Sequence, residues 1–576
     1  MIGRRSVMGG LGLTSLYASL KGGRAAVAPA ATLPDVTGLS VLCSDGQIFA
    51  AWRGPGEPDA ERPPLWHALL RSERPITEET AGTAETVAWG VFGPVSALGR
   101  MASGPVAALI AGPPPATDLA VITATVRRRS YYAAVAIDRT NGRRSRIVPG
   151  ESATAQPTLE IPGEIEPIQL LGPDGRPNPD QASDAGLPLM LALHAHGGKV
   201  GPVGRNGEYV YFGNQQMGYR DGLPGWFALE RDPGLPTRAG GSRAKMLRLL
   251  PRDMVLGPDG IRQLDTFWFG YQAIPQGARD RHAYAYPFTE RRLLWLLAWA
   301  RERFHVDQKR IYATGQSMGG WGTSFFALRH SEIFAAVYPM MPRFREGDLS
   351  SLTAPTRYIP ERAHIKVLMP DGVTDFFQRM DMVRFVREHP GELPFLVWSI
   401  GRHDGFATWQ EQVDMVRALT ATRRGFAFAW NDGHHGDGPY PMHALMAAYP
   451  PALFALDESY PAFTGSSLDS DLGTGDPTTG DLSGGINLGF VWSDLRDSPR
   501  GWEASIGNDI AKDVAVVDVT PRRVQRFTLG PNASIEWRTS RGQAGVVTAD
   551  EAGLVTVPRM RLEPGRMTRL SLSRRS

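Results

Sequence analysis

Three short stretches of this 576-residue chain carry the residue types and spacing of a nucleophilic site. Thr314-Gly315-Gln316-Ser317-Met318-Gly319-Gly320 follows the strand-like run Arg310 to Ala313 and precedes the apolar stretch Ser324 to Leu328. This is G-x-S-x-G between a strand and a helix, a turn so tight that side chains two residues either side of the serine would collide. Ser317 is therefore the candidate nucleophile. The Met318 N–H, at the helix start, is a donor for a developing oxyanion. Gly401-Arg402-His403-Asp404 follows the run Pro394 to Ile400, and Asn431-Asp432-Gly433-His434-His435-Gly436-Asp437 follows Phe426 to Trp430. Serine, acid and histidine in that chain order, each at the end of a successive strand, are what a triad on a doubly wound sheet requires. Asp404 is then the acid that holds the imidazole tautomer, and His434 or His435 is the base. Asp375 lies one element too early for the acid, and Asp414 reads as a solvated helix residue.

A second oxyanion donor is expected where the run Leu189 to His194 ends in Ala195-His196-Gly197-Gly198-Lys199, from the N–H of Gly197, Gly198 or Lys199. Gln316, beside the nucleophile, is a candidate substrate contact. So is Trp268, in the aromatic run Leu264 to Tyr271, for which core packing is the alternative. His194, His196, His434, His435 and Asp437 are also of the types that ligate zinc. The H-E-x-x-H helix is absent, and a triad uses the same residues without a metal. No metal or cofactor is expected.

These stretches need a sheet to position them. Residues 164–463 alternate apolar strand-like runs with amphipathic stretches such as Glu290 to Phe304, which predicts an α/β fold, a mostly parallel sheet with helices on both faces. Ile365 to Met369 is expected to be one of its strands. Residues 35–150 read as β-rich, through Gln47 to Trp52, Leu65 to Ser72 and Tyr131 to Asp138. The alternation of Tyr131, Ala133, Val135 and Ile137 predicts a strand with one buried face. Residues 488–576 read as a second small sandwich, with strands at Val514 to Val519, Val524 to Leu529, Ala533 to Trp537 and Leu570 to Leu572. The Gly-, Ser-, Thr- and Asp-rich segment 464–487 has the composition of a flexible linker or long surface loop.

Composition narrows the function classes. Apolar residues make up 42% and charged residues 21% of the chain, as in folded soluble domains. A net charge of +3, without clustered basicity, gives no nucleic-acid surface. Arg4-Arg5 before the short apolar run Val7 to Leu20 and an Ala-rich stretch has the order of a twin-arginine export signal within residues 1–34, and the run is too short for a permanent membrane anchor. Cys43, the one cysteine, excludes an intrachain disulfide.

The run Arg310 to Gly320, continuing to Phe334-Ala335-Ala336-Val337-Tyr338-Pro339, resembles the prolyl-oligopeptidase-like esterases, which include feruloyl and acetyl xylan esterases. The resemblance covers the central 250 to 300 residues. It implies an α/β-hydrolase fold with Ser317, Asp404 and His435 as the triad, His435 standing five residues past Trp430 as in related esterases. The long insertion from Lys199 to Arg281 departs from the family pattern. The N-terminal strands, with their Trp and Tyr-Tyr-x-x-Val-x-Ile-Asp runs, are similar to a fibronectin type III module, which implies a spacer and no chemistry. Together these imply an exported serine esterase acting on an extended or polymeric ester such as an acylated polysaccharide. A polyester depolymerase, a serine peptidase and a non-catalytic binding protein are the alternatives, and the oligomeric state is left open.

Overall fold

The computed structural model describes residues 33–44, 46–54, 65–90, 92, 108–109, 118–138, 141–162, 170–171, 186–195, 199–202, 209–212, 246–249, 251, 253, 255–256, 262–264, 266–273, 282–303, 305–346, 366–435 and 442–575. The export signal, but for its last two residues, lies outside them. Among the described residues no helix is long and apolar enough to cross a membrane.

Among the described residues, seven strands build an N-terminal sandwich: β1 (Thr37–Ser44), β2 (Gln47–Arg53), β3 (Trp66–Ser72), β4 (Glu85–Gly90), β5 (Asp118–Thr123), β6 (Arg128–Ile137) and β7 (Thr158–Glu160). They form two antiparallel sheets, ordered β1-β2-β5 and β4-β3-β6-β7. β6 corrects the expectation of one buried face. Tyr132, Ala134 and Ala136 enter the core between the sheets, while Ala133 and Val135 pack under Ile147 and Ala153. The loop after β6 folds back over the outer face, so alternation here separates two cores instead of core from solvent. Phe92 meets Tyr286 at 5.3 Å between ring centroids, and Tyr286 and Phe288 belong to the sandwich core, so the sandwich and the central fold share apolar packing.

The central fold begins with β8 (Leu170–Leu171) and β9 (Leu187–Leu193). The hairpin of β10 (Lys199–Pro202) with β11 (Tyr209–Phe212) follows, then β12 (Met246–Leu249), and then the hairpin of β13 (Val255–Leu256) with β14 (Arg262–Leu264). Next come β15 (Tyr271–Ala273), β16 (His282–Tyr286), α1 (Phe288–Arg303), β17 (Val306–Gln316), α2 (Met318–Arg329), β18 (Ala336–Met340) and β19 (Lys366–Leu368). The remainder is α3 (Phe376–Arg379), α4 (Met382–Glu388), β20 (Phe395–Gly401), α5 (Trp409–Ala421), β21 (Phe426–Asn431) and α6 (Met442–Ala448). Six strands run parallel in the order β12-β9-β17-β18-β20-β21, with β8 antiparallel at one end. β9, β18, β20 and β21 are almost wholly apolar and buried, as strands covered on both faces must be, and β17 is buried from Ile311 onward, after the polar start Asp307 to Arg310. Ile365 to Met369 does not join them. β19 pairs with β16 in a separate sheet ordered β15-β16-β19, so an apolar run of strand length is correct for a strand and silent about its sheet.

The C-terminal strands are β22 (Tyr460–Thr464), β23 (Gly484–Ile486), β24 (Phe490–Ser498), β25 (Gly501–Asn508), β26 (Ala515–Arg522), β27 (Ser534–Thr539), β28 (Ala544–Thr548), β29 (Val557–Leu562) and β30 (Thr568–Arg574). Two sheets, β22-β26-β29 and β24-β25-β30-β27-β28, enclose a core around Trp502, Val517, Val519, Met560 and Leu572. Val524 to Leu529 is not a strand. The Asp497 carboxylate accepts the N–H groups of Gln525, Arg526 and Phe527, which satisfies those donors without a ladder.

Segment 464–487 is not a free linker. It leaves the C-terminal sandwich after β22, crosses to the central sheet, where β23 pairs antiparallel with β21, and returns at β24. Its Gly-, Ser- and Asp-rich composition serves turns tied by their own side chains, such as Asp476 with Thr478 and Asp471 with Gly473. Asp469 accepts the N–H groups of Ser466 and Asn487 and so joins the two ends of this strap, while burial pushes its carboxyl up to about 6. The sandwich and the central fold are further joined by Arg523, 4% exposed, whose guanidinium donates to the carbonyls of Ala335 (3.2 Å), Leu393 (3.1 Å) and Ala455 (3.0 Å). Arg523→Ala takes the guanidinium from all three carbonyls, of which those of Ala335 and Ala455 keep a backbone N–H. It is expected to cost on the order of 3 kcal/mol, read as a lower midpoint of urea unfolding.

Candidate active site

The nucleophile elbow is built by β17 and α2. Ser317 joins them at φ 53° and ψ −119°, a conformation that costs a non-glycine residue on the order of 1 to 3 kcal/mol. Its N–H donates to the Met340 carbonyl at the end of β18, which anchors the turn from the neighbouring strand. A Cβ on Gly315 would stand 2.3 Å from the Gly319 carbonyl oxygen, and one on Gly319 would stand 2.0 Å from that of Leu193. Both glycines are therefore fixed by backbone approach, and no rotamer change relieves either clash. Gly319→Ala forces the start of α2 away from the end of β9. The expected result is loss of at least 100-fold in kcat with the central fold still assembled, checked by esterolysis alongside circular dichroism.

The acid and the histidine arrive on adjacent loops that are zipped together. β20 and β21 pair up to Gly401 opposite Asn431, and the pairing continues as Arg402 N–H to Asn431 O (2.9 Å) and His403 N–H to Gly433 O (3.0 Å). Gly401 must lack a side chain, since a Cβ there would lie 2.3 Å from the Gly433 oxygen. His403 and Asp432 close the outer side at 3.1 Å.

These loops bring Ser317, His435 and Asp404 together. Ser317 Oγ lies 2.8 Å from His435 Nε2, and His435 Nδ1 lies 2.6 Å from Asp404 Oδ2. The other carboxylate oxygen, Asp404 Oδ1, accepts the N–H groups of Phe406 (2.8 Å) and Ala407 (3.0 Å). The Asp404 side chain is buried and the His435 side chain 17% exposed, so the pair is largely shielded from solvent. His434 takes a different position. It is exposed, and its Nδ1 lies 2.9 Å from the His403 carbonyl, so it braces the zipped loops.

Met318, as the first residue of α2, has an N–H with no acceptor inside the helix, beside Ser317. Gly197, Gly198, His196 and Asp437 lie outside the described residues. Gln316 is the last residue of β17 and 6% exposed. Trp268 is a correction: at 2% exposure it is a packing residue and not a pocket wall. Its indole N–H donates to the His194 carbonyl (3.1 Å), and its ring fills the space that Gly322 of α2 leaves open. Phe267 and Trp268 both adopt positive φ, a turn held by the buried Asp253, which accepts the N–H groups of Thr266 (2.7 Å) and Trp268 (3.1 Å). His194 has both ring nitrogens engaged, Nε2 by the Asp253 N–H and Nδ1 at the Ala195 carbonyl, each at 2.9 Å. Among the described residues no three His, Cys, Asp or Glu side chains converge as a metal site.

Two site residues escaped the sequence reading. Gly401 carried a usable signal, a glycine at the end of a buried strand. Phe406, 45% exposed with its ring edge-on to His435 at 4.7 Å, carried only its place two residues past the acid.

Residues 293–439 match the model of the prolyl oligopeptidase family, a stretch that takes in β17, the elbow, the acid loop and His435. No curated protein matches the chain. Among solved structures, similar ones include the fluorophosphonate-binding serine hydrolase FphF of Staphylococcus aureus, at 16% identity and a TM-score of 0.27 over 48% of this chain and 85% of that one. A ferulic acid esterase is similar at 16% identity and a TM-score of 0.29, over 56% and 91%. The S-formylglutathione hydrolase of Agrobacterium tumefaciens follows at 15% identity and a TM-score of 0.29, over 46% and 82%. The sheet order gives the fold and the family match over residues 293–439 the class of chemistry: the chain is a serine hydrolase with the α/β-hydrolase fold.

Proposed function

We propose that the chain is an exported carboxylester hydrolase that works through an acyl-enzyme on Ser317, on esters of an extended or polymeric substrate such as an acylated polysaccharide. One observation carries the reading: the hydrogen-bonded line from Ser317 Oγ through His435 to Asp404. In this mechanism His435 Nε2 takes the hydroxyl proton as Ser317 attacks the ester carbonyl carbon, and Asp404 stabilises the imidazolium at Nδ1. The Met318 N–H faces the developing oxyanion, a donor worth about 3 kcal/mol in such sites. His435 then returns the proton to the leaving alcohol. Water, deprotonated by the same imidazole, releases the acid and restores Ser317.

The leader Arg4-Arg5 supports export. The strand orders β1-β2-β5 and β4-β3-β6-β7 support reading the N-terminal sandwich as fibronectin type III-like, a spacer suited to a large substrate. The family match also favours a second reading, a serine peptidase. Against it stands the region before the catalytic sheet, whose sequence has no blade repeats of the kind a propeller requires and whose described residues form a two-sheet sandwich.

The test is a panel of acetyl, feruloyl, polyester and peptide substrates, run with a fluorophosphonate that labels the nucleophile. Burst release of nitrophenol from a short acyl ester, turnover of acylated polysaccharide and a single phosphonate adduct on Ser317 are expected. Cleavage of peptide amides alone would move the chain to the peptidases. Absence of both burst and adduct would leave a binding protein.

A further inference from the structure

Arg402 is the first residue after β20 and stands two residues before Asp404. It is 1% exposed, and among the described residues no carboxylate contacts it, Asp476 of the strap acting on it only at longer range. A guanidinium buried without a carboxylate in contact is costly unless most of its donors are well spent. The Nη1 and Nη2 donors of Arg402 go to one place, the carbonyls of Thr479, Gly480 and Asp481, successive residues of the strap, while its Nε has no partner among the described residues and its Cζ lies 5.6 Å from the Trp409 ring centroid.

Two tryptophans at the same end of the sheet are tied to the strap as well. Trp430, at the end of β21, donates its indole N–H to the Asp481 carbonyl (2.9 Å), and Trp409, opening α5, donates to that of Leu472 (3.1 Å). Behind the strap both ends enter the C-terminal sandwich, at β22 and β24. The acid loop thus lies between two fixtures, the His435 loop on one side and the strap on the other.

We infer that Arg402 is a positioning residue that holds the acid loop against the 464–487 strap, which makes the C-terminal sandwich part of the apparatus that aims Asp404 at His435. This rests on the Ser317, His435 and Asp404 triad reading. It assigns the sandwich a role in turnover that needs no ligand of its own. Orientation is the quantity at stake, because displacement of a catalytic group by about 1 Å costs roughly 100-fold in rate.

Three variants test it: Arg402→Met, which removes every donor; Arg402→Lys, which keeps the charge and part of the hydrogen bonding; and Trp430→Phe, which removes one N–H to the strap and keeps the ring. Rates are normalised to sites titrated by the phosphonate, and the downfield proton resonance of the His435–Asp404 hydrogen bond is followed by NMR. Arg402→Met is expected to lower kcat roughly 10- to 100-fold on a short acetyl ester with KM within about twofold, and to broaden that resonance. Arg402→Lys recovers part of both, and Trp430→Phe gives a smaller change of the same kind. Should Arg402→Met fail to fold, Trp430→Phe decides. Wild-type kcat per titrated site with an intact resonance overturns the inference, and so does a loss confined to KM. Ser317→Ala separates this from the reading beneath it, since it keeps the resonance while losing turnover. Turnover retained in Ser317→Ala would instead sink the triad itself.

Discussion

Alanine at Ser317 lowers kcat for a short acyl ester on the order of a millionfold, alanine at His435 does the same, and the double variant is no worse than either. The non-additivity is the informative part. Ser317 Oγ and His435 Nε2, 2.8 Å apart, act as one unit, so removing either partner removes the whole proton transfer. The residual rate comes from substrate binding and oxyanion donors such as Met318. Alanine at His434 is expected to stay within about tenfold of wild type, since its ring braces the loop through the His403 carbonyl and does not reach Ser317. Steady-state kinetics on the four variants, with circular dichroism to confirm the fold of each and phosphonate titration of the wild type and His434→Ala, decide the assignment. A millionfold loss in His434→Ala with an active His435→Ala would reverse it.

Part of this arrangement was legible in the sequence for physical reasons. The elbow is dictated by backbone approach, so Gly315 and Gly319 must be glycine in any sequence that makes it, and a short motif suffices to find it. Strands covered on both faces are apolar, which is why β20, β21 and the buried half of β17 from Ile311 stood out, and the serine, acid and histidine follow their ends in order. Pairing partners are different, because an apolar run of strand length fits any sheet. β19 reads like a central strand yet pairs with β16. The strap misled for the opposite reason. A chain rich in Gly, Ser and Asp has little to bury, and here it is ordered by carbonyls that accept from Arg402, Trp409 and Trp430, donors that lie 50 or more residues away in sequence. Composition measures what a segment can bury, not which backbone groups others will seize. Trp268 shows the same limit, since an aromatic near a site reads equally as wall or as filling until Gly322 is seen beneath it.

Asp404→Asn is the sharper test of the acid, because this geometry fixes which way the amide must face. Asp404 Oδ1 accepts two N–H groups, from Phe406 and Ala407, so the asparagine oxygen is drawn to that position and the NH2 group is left at the site of Oδ2. That donor then faces His435 Nδ1, which holds a proton in the wild type at 2.6 Å from the carboxylate. The imidazole relieves the conflict by moving its proton to Nε2. In that tautomer it has no lone pair to offer Ser317, and it donates to the hydroxyl it should deprotonate. The expected loss is about four orders of magnitude in kcat with little change in KM or folding, since size and packing are conserved. Asp404→Ala removes the donor conflict along with the charge and lets the imidazole retain its useful tautomer for part of the time. Asparagine is therefore expected to be at least as damaging as alanine. The reverse order, with asparagine the milder change, would mean that the amide turns its oxygen toward His435 Nδ1 and that the two backbone donors of the acid loop do not set its orientation.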